Sequence, residues 1–357
     1  NFDSIVVTYY KDQIVAVEAF KAGEFDFMLV NIAKQWARDM VGKRFDDGLL
    51  IKKSFPHQNN AGMQGFLMNT RRPLFYDVRV RQALGLAFDF EWTNKSLFFD
   101  QYRRSSSFFS NSYLAADGLP SGLELSYLEP FKDSLPREVF STALAAPYSD
   151  ANGGMRANLL QAKELLREAG WIVTNGVLQN REGTPFRFEI LLVSPSFERV
   201  MAPYVNNLKK LGIVVDYRTI DPALYTDRVQ KFDFDMIVHV YGQSLSPGNE
   251  QKNFWHSESA DRPGSKNLAG IKNFVVDAMV EKIIYAKTQE ELTAACKALD
   301  RILWYGYYLV PNWYLNVHRL AYHNKFNQPD TLPLYYNDFQ LLMTWWIKDI
   351  NAVITDN

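Results

Sequence analysis

The chain has 357 residues, enough for two ordinary domains or one large one, and 39 basic against 40 acidic side chains leave a formal net charge of -1. A balance so even supplies no global field for nucleic acid or an anionic membrane, and no run approaches the ~18 consecutive apolar residues that cross a bilayer. A single cysteine, Cys296, excludes an internal disulfide and any CxxC metal site.

In chain order, Ile5, Val6, Val7 and Tyr9 predict a strand over residues 5–9. Asn1 is not an initiator methionine and nothing leader-like precedes it, so a processed or truncated product is expected. Ile14, Val17 and Phe20 mark a helix over 13–22, closed by Gly23 as a residue free to take positive φ, and residues 25–30 form an apolar strand. Residues 65–69 read as a short strand leading into a helix that Asp77 caps. There Val80, Ala83, Leu84, Ala87 and Phe88 make one buried stripe, while Arg79 and Arg81 are expected to be solvated or paired with carboxylates.

Residues 103–153 are rich in Ser, Pro, Gly and Asn without a sustained period, which predicts an ordered meander over the surface rather than a flap. A regular alternation follows. A helix over 156–169 stops at Gly170, a strand covers 186–193, a helix 197–211 ends at Gly212, and a strand covers 213–220. Asp221-Pro222 then opens another helix, with Asp as N-cap and Pro at the first helical position, and 234–240 is an apolar and therefore central strand. This order argues for βαβ units and an α/β lobe with right-handed crossovers. Residues 247–270 are polar and irregular. Helices over 272–287 and 289–305, a strand over 307–314 and an aromatic segment over 315–350 complete the chain.

Little in the sequence points to catalysis. The five histidines (His57, His239, His256, His318, His323) contain no HExxH and no pair at i, i+4, and His318 and His323 fall on opposite faces of a strand. Gly242-Gln-Ser244 lacks the second glycine of a nucleophile elbow and runs into Pro247-Gly248 instead of a helix. Asp233 with Asp235, and Asp216 with Asp221, read as solvated or capping carboxylates. No glycine-rich phosphate cradle occurs, and no cofactor is indicated. The outlier is aromatic content, 15% with 8 Trp and 19 Tyr, which suits both cores and clefts for peptides or glycans. Residues 241–250 (YGQSLSPGNE) leave the carboxyl end of an apolar strand, where ligands of α/β sheets gather, and offer amides and hydroxyls without charge.

Four stretches of wording resemble one family in order. They are A-G-E-F-D-F at 22–27, N-T-x-x-P-x-F-x-D-x-R-V-R-Q-A-L-x-x-A-x-D at 69–89, A-K-E-L-L-R-E-A-G-W at 162–171, and L-V-P-N-W-Y at 309–314. Together they resemble the family 5 extracellular solute-binding proteins, receptors of bacterial ABC importers. The 244–250 wording, with N-F-W and A-D-R-P-G-S after it, looks most like the YejA-type branch, associated with oligopeptides, microcin C-like peptides and muropeptides. The resemblance covers the C-terminal portion of such receptors. It implies an α/β type II periplasmic-binding-protein fold, with one complete lobe plus part of the second: residues 1–63 and 313–357 in lobe I, and 64–312 as the ligand-binding lobe III. It further implies a periplasmic monomer that traps solute, without catalysis, where its lobes close and works with permease subunits. Strand-end position together with the resemblance nominates Asn69, Tyr241, Gln243, Ser244, Ser246, Trp313 and Tyr314 as ligand contacts. Ser246 aligns where peptide receptors of the family carry an aspartate for the ligand's α-ammonium, and Gln243 where they often have Trp. The alternative from another class is a secreted hydrolase of glycans or peptides using an aromatic cleft.

Overall fold

The computed structural model describes residues 2–150 and 153–348, so expectations touching residue 1, residues 151–152 and residues 349–357 lie outside it. The chain divides into two units. One comprises residues 1–59, 96–101 and 315–357, the other residues 60–95 and 102–314. Among the described residues no helix is long and apolar enough to cross a membrane.

The larger unit is built on a five-stranded mixed sheet. Its strands are β1 (Met63–Met68), β2 (Arg187–Leu192), β3 (Val214–Thr219), β4 (Met236–Tyr241) and β5 (Leu309–Pro311), in the spatial order β5-β1-β4-β2-β3. β2 runs parallel to both β3 and β4, as the βαβ alternation requires, and β4 holds the central position that its apolar run predicts. β1 lies antiparallel to β4, with Met63 opposite Tyr241 and Met68 opposite Met236, and β5 lies antiparallel to β1. Two glycines permit this packing. A Cβ on Gly65 would lie 2.6 Å from Leu309 Cδ1 and 2.8 Å from Val310 O, and one on Gly62, at φ +63°, would collide with the Tyr241 carbonyl.

The helices follow their sequence signals closely. Val78–Leu86 is capped by Asp77, whose carboxylate accepts from Arg79 N, and Pro222–Gln230 is capped by Asp221, which accepts from Ala223 N and Leu224 N. Arg79 pairs with Asp77 as expected. Arg81 corrects the expectation of solvation or a carboxylate partner: it is buried and donates to the carbonyls of Phe75, Tyr76 and Gly306, at 2.7–2.9 Å. Its guanidinium terminates backbone groups that the turn before the helix leaves open.

The stretch 103–153 is not a surface meander. It contains helix Gly122–Leu128, and Phe108, Phe109, Leu114, Leu128 and Val139 join the main core with Val276, Met279, Leu299 and Leu303 of the late helices. Two adjacent buried charges on helix Gln289–Tyr305 hold it there. Asp300 accepts from Ser107 Oγ (2.6 Å), Phe108 N (2.7 Å) and Ala116 N (3.0 Å). Arg301 meets Glu124 at 2.5 Å and donates to the carbonyls of Asp117 and Gly118. The strand expected over 307–314 is broken at Asn312, where the chain leaves β5 and Trp313–Tyr314 pairs instead with Arg103–Arg104. The irregular 247–270 stretch includes the short helix Glu250–Trp255.

In the smaller unit, helix Gln13–Ala22 ends at Gly23 with φ +93°. Ile14 is exposed rather than part of the stripe; Ala16, Val17, Ala19 and Phe20 are the buried positions. Strand Val317–His323 pairs antiparallel with Phe27–Leu29 on one side and Leu50–Pro56 on the other. Residues 5–9 form no strand. Val6 is 83% exposed, and β-branched side chains make a strand only where a neighbouring backbone completes the ladder.

Two outcomes follow from this packing. Burial pushes the Asp300 carboxyl up to about 6, above its unfolded value of 3.8. Folding therefore binds a proton here, so this contribution to stability is complete below the unfolded value and is lost as pH rises through the folded one. Denaturant unfolding of Asp300→Asn should show a shallower fall in stability than wild type between about pH 4 and 6, by roughly 2–3 kcal/mol across the window. Equal slopes would reject the assignment. Gly62→Ala should lower stability by about 2 kcal/mol or more, read from the same unfolding curves.

Candidate ligand-binding end of the central sheet

Because β1 is antiparallel to its neighbours, the carboxyl ends of β2, β3, β4 and β5 share one end of the sheet with the amino end of β1. Tyr241 closes β4 there, and residues 242–249 leave from it. Gln243, Ser244, Ser246, Trp313 and Tyr314 are brought to the same end, as sequence position implied. Asn69 is not. It follows the far end of β1, roughly 20 Å away along a six-residue strand. Its amide is fully engaged, Nδ2 donating to the carbonyls of Phe232 and Phe234 (both 2.9 Å) and Oδ1 accepting from Arg71 N (3.2 Å) and Nη1 (2.9 Å). Arg71 continues the network to the carbonyls of Ala260, Asn267 and Leu268, with its Cζ 3.7 Å from the Phe232 ring centroid. Asn69 thus fastens the 260–270 segment to the sheet.

Tyr241 belongs to a buried aromatic cluster of the main core. Its buried ring lies 4.3 Å from Trp255, 4.6 Å from His239 and 5.9 Å from Phe254. Burial pushes its hydroxyl well above the ordinary tyrosine range and pulls His239 down to about 4, so His239 is neutral at physiological pH. The loop that follows is held mostly by uncharged groups. Gln251 Nε2 donates to Gln243 Oε1 (2.6 Å), and Trp255 Nε1 donates to Gln251 Oε1 (2.8 Å). Asn60 Nδ2 donates to Ser244 O (3.0 Å), and Tyr113 Oη to Leu245 O (2.7 Å). Ser244 Oγ accepts from Ser246 N at 3.2 Å, and both serines are exposed. Much of the loop's backbone is bonded within the protein, and Glu250 Oε1 accepts from Gly248 N (2.9 Å).

Trp313 forms a second surface. Its ring stacks on Phe197 (6.0 Å between centroids, 20° between planes) and lies 6.0 Å from Tyr102 and 6.3 Å from Phe88. Phe88 also contacts Phe66 and Tyr204, whose hydroxyl donates to Leu84 O at 3.1 Å. Trp313 and Tyr314 are half-buried, so each offers part of a ring outward. The combination of aromatic rings and exposed hydroxyls suits recognition of an amide-rich ligand. Sequence reasoning did not single out Phe197 or Tyr102, because nothing in either one's local pattern distinguishes it from a core ring. Among the described residues, no group of three or more His, Cys, Asp or Glu is arranged to hold a metal ion.

The profile of the bacterial extracellular solute-binding proteins, family 5 Middle, matches residues 1–262. Uncharacterized protein y4wM of Sinorhizobium fredii is 45% identical over 355 residues, which is 98% of this chain and 53% of that protein. Probable peptide-binding protein YejA of Agrobacterium fabrum is 40% identical over 349 residues, 97% of this chain and 56% of its own length. The chain thus spans about half the length of the curated relatives it matches. The structure of the oligopeptide-binding protein AppA from Bacillus subtilis, in complex with a nonapeptide, superposes with a TM-score of 0.69 at 18% identity, over 95% of this chain and 59% of AppA. That likeness gives the fold, an α/β type II periplasmic-binding-protein fold. By profile and by identity over nearly its whole length, the chain belongs to the family 5 bacterial extracellular solute-binding proteins, in the YejA-type branch.

Proposed function

We propose that this chain is part of the periplasmic solute-binding component of a bacterial ABC importer, a monomer that delivers oligopeptides or peptide-containing compounds, such as microcin C-like or muropeptide ligands, to permease subunits. It binds and does not react. Residues 64–312 form the ligand-carrying lobe, and residues 1–63 and 313–357 belong to the other. The observation that carries this reading is the gathering of Gln243, Ser244, Ser246, Trp313 and Tyr314 at the carboxyl ends of the strands, beside aromatic rings. The peptide named in the AppA structure and the peptide-binding name of the Agrobacterium relative support the ligand class. Serine hydroxyls hydrogen-bond a peptide main chain, Trp313 and Tyr314 cover its apolar parts, and Tyr241 roots the loop in the core. Asn69 acts within the fold.

Incubating the chain with candidate peptides and muropeptides, followed by mass spectrometry, should return every ligand intact; time-dependent cleavage would establish the hydrolase instead. The loop carries Ser246 where peptide receptors of the family carry the aspartate for an α-ammonium, and a charge-assisted bond contributes roughly 1.5–3 kcal/mol. N-formylated peptides should therefore bind about as tightly as their free counterparts in calorimetry, and a loss of about tenfold or more on blocking would refute the idea. Trp313→Ala should weaken binding of the same peptides by about tenfold while leaving the melting temperature within a few degrees.

A further inference from the structure

A cavity of about 210 Å³ opens beside β5 in the larger unit, and neither the loop after Tyr241 nor Trp313 and Tyr314 line it. Helix Val78–Leu86 contributes Gly85 and Leu86 to its wall, helix Gln289–Tyr305 contributes Leu303 and Trp304, and the approach to β5 contributes Tyr307 and Tyr308. No lining side chain carries a charge. The polar ones are the carboxamides of Gln82, Asn158 and Gln161, the Trp304 indole and the two phenols.

Three features distinguish this cavity from a packing gap. The first is an open strand edge, since β5 is outermost in the sheet and bonded on one side only. Met68 N donates to Tyr308 O (3.0 Å) and Asn312 N to Gln64 O (2.8 Å). By the alternation of an antiparallel ladder, Tyr308, Val310 and Asn312 aim their backbone groups at β1, and Leu309 aims its N–H and C=O away. Leu309 lines the cavity, is 4% exposed, and neither group has a hydrogen-bond partner among the described residues. Buried main-chain groups are rarely left open. The second is Gly85, buried inside a helix where glycine is ordinarily unfavourable, at which an added Cβ would meet nothing within 4 Å. Its absent side chain is part of the empty volume. The third is Tyr307, which holds φ at +49°, a strained conformation for a tyrosine, and so turns its ring into the wall. Burial pushes its hydroxyl up to about 12, which leaves it a neutral donor.

An apolar cavity of about 150 Å³ admits a benzene ring, so this one has room for a ring with a short substituent. A wall without charge favours a neutral occupant, because an ion would lose its hydration there without compensation. The open edge asks for one N–H and one C=O on either side of a single carbon, which is what an extended amino-acid residue presents. We propose that this cavity is a second binding site, for one aromatic amino-acid residue whose amino and carboxyl groups are both in amide linkage. Its ring fills the space in front of Gly85, its N–H donates to Leu309 O, and its C=O accepts from Leu309 N. The occupant thus extends the sheet by one residue. This site is separate from the loop end of the sheet and does not rest on the peptide-binding reading of that end.

The test titrates N-acetylphenylalaninamide into the ¹⁵N-labelled chain, with the Leu309 amide and Trp304 indole resonances as reporters and calorimetry for affinity. Both resonances should move together and saturate. N-acetyl-N-methylphenylalaninamide lacks the N–H that meets Leu309 O and should bind about tenfold more weakly. Gly85→Leu places a side chain in the empty volume; it should melt at or above the wild-type temperature and bind the amide about tenfold or more weakly. Unmoved resonances, equal binding of the methylated compound, or undiminished binding to Gly85→Leu would each overturn the proposal. Should Gly85→Leu fail to fold, the two compounds on the wild type decide alone: weaker binding of the methylated one upholds the site, and equal binding removes it. Free phenylalanine, which bears a charge at each end, should shift neither resonance, and saturation by it would reject the neutral occupant.

Discussion

Everything at the candidate site depends on one strand lying antiparallel between two others. Met63–Met68 runs against Met236–Tyr241 on one side and Leu309–Pro311 on the other, and its glycines allow the approach. Because the side-chain period of a strand is two, this register puts Gln64 and Phe66 on one face and Met63 and Leu67 on the other. It also sets Gln64 opposite Asn312 and stations Gly62 beneath the Tyr241 carbonyl, where the 242–249 loop departs. A slip of one residue would exchange the two faces and dismantle both aromatic clusters.

The rest of the larger unit is arranged to keep irregular chain on that frame. Regular elements satisfy their own backbone groups, but the 103–125 and 260–270 segments cannot, and buried side chains do it for them. Asp300 and Arg301 fasten the first segment to a helix, and Asn69 and Arg71 fasten the second to the sheet. These polar residues are costly to bury, and of their side-chain groups only Arg71 Nε lacks a hydrogen-bond partner among the described residues.

The elements legible in the sequence were those whose signal is local. Asp77, Asp221, Gly23 and Gly212 mark helix ends by chemistry within a few residues, and the apolar run before Tyr241 marks a central strand. What could not be read depended on distant partners. Residues 5–9 have strand-forming side chains but no ladder, Arg81 meets the Gly306 carbonyl from far along the chain, and the break at Asn312 exists because two separate strands compete for one stretch. The ligand-contact residues show the same division. Loop and strand-end positions after Tyr241 and beside Trp313 were accessible from the order of elements. The internal role of Asn69, and the cavity between Gly85 and Leu309, appear only when residues about two hundred positions apart become neighbours.

The fastening of the 242–250 loop has a quiet corollary. One carboxylate, Glu250, accepts from Gly248 N, but Gln243, Gln251, Trp255 and Asn60 grip the loop through carboxamides and an indole, which carry no charge. Contacts of that kind are also nearly indifferent to dissolved ions, which weaken exposed charge pairs. The neutral part of that grip can therefore persist while the fluid around it swings in acidity and ionic strength.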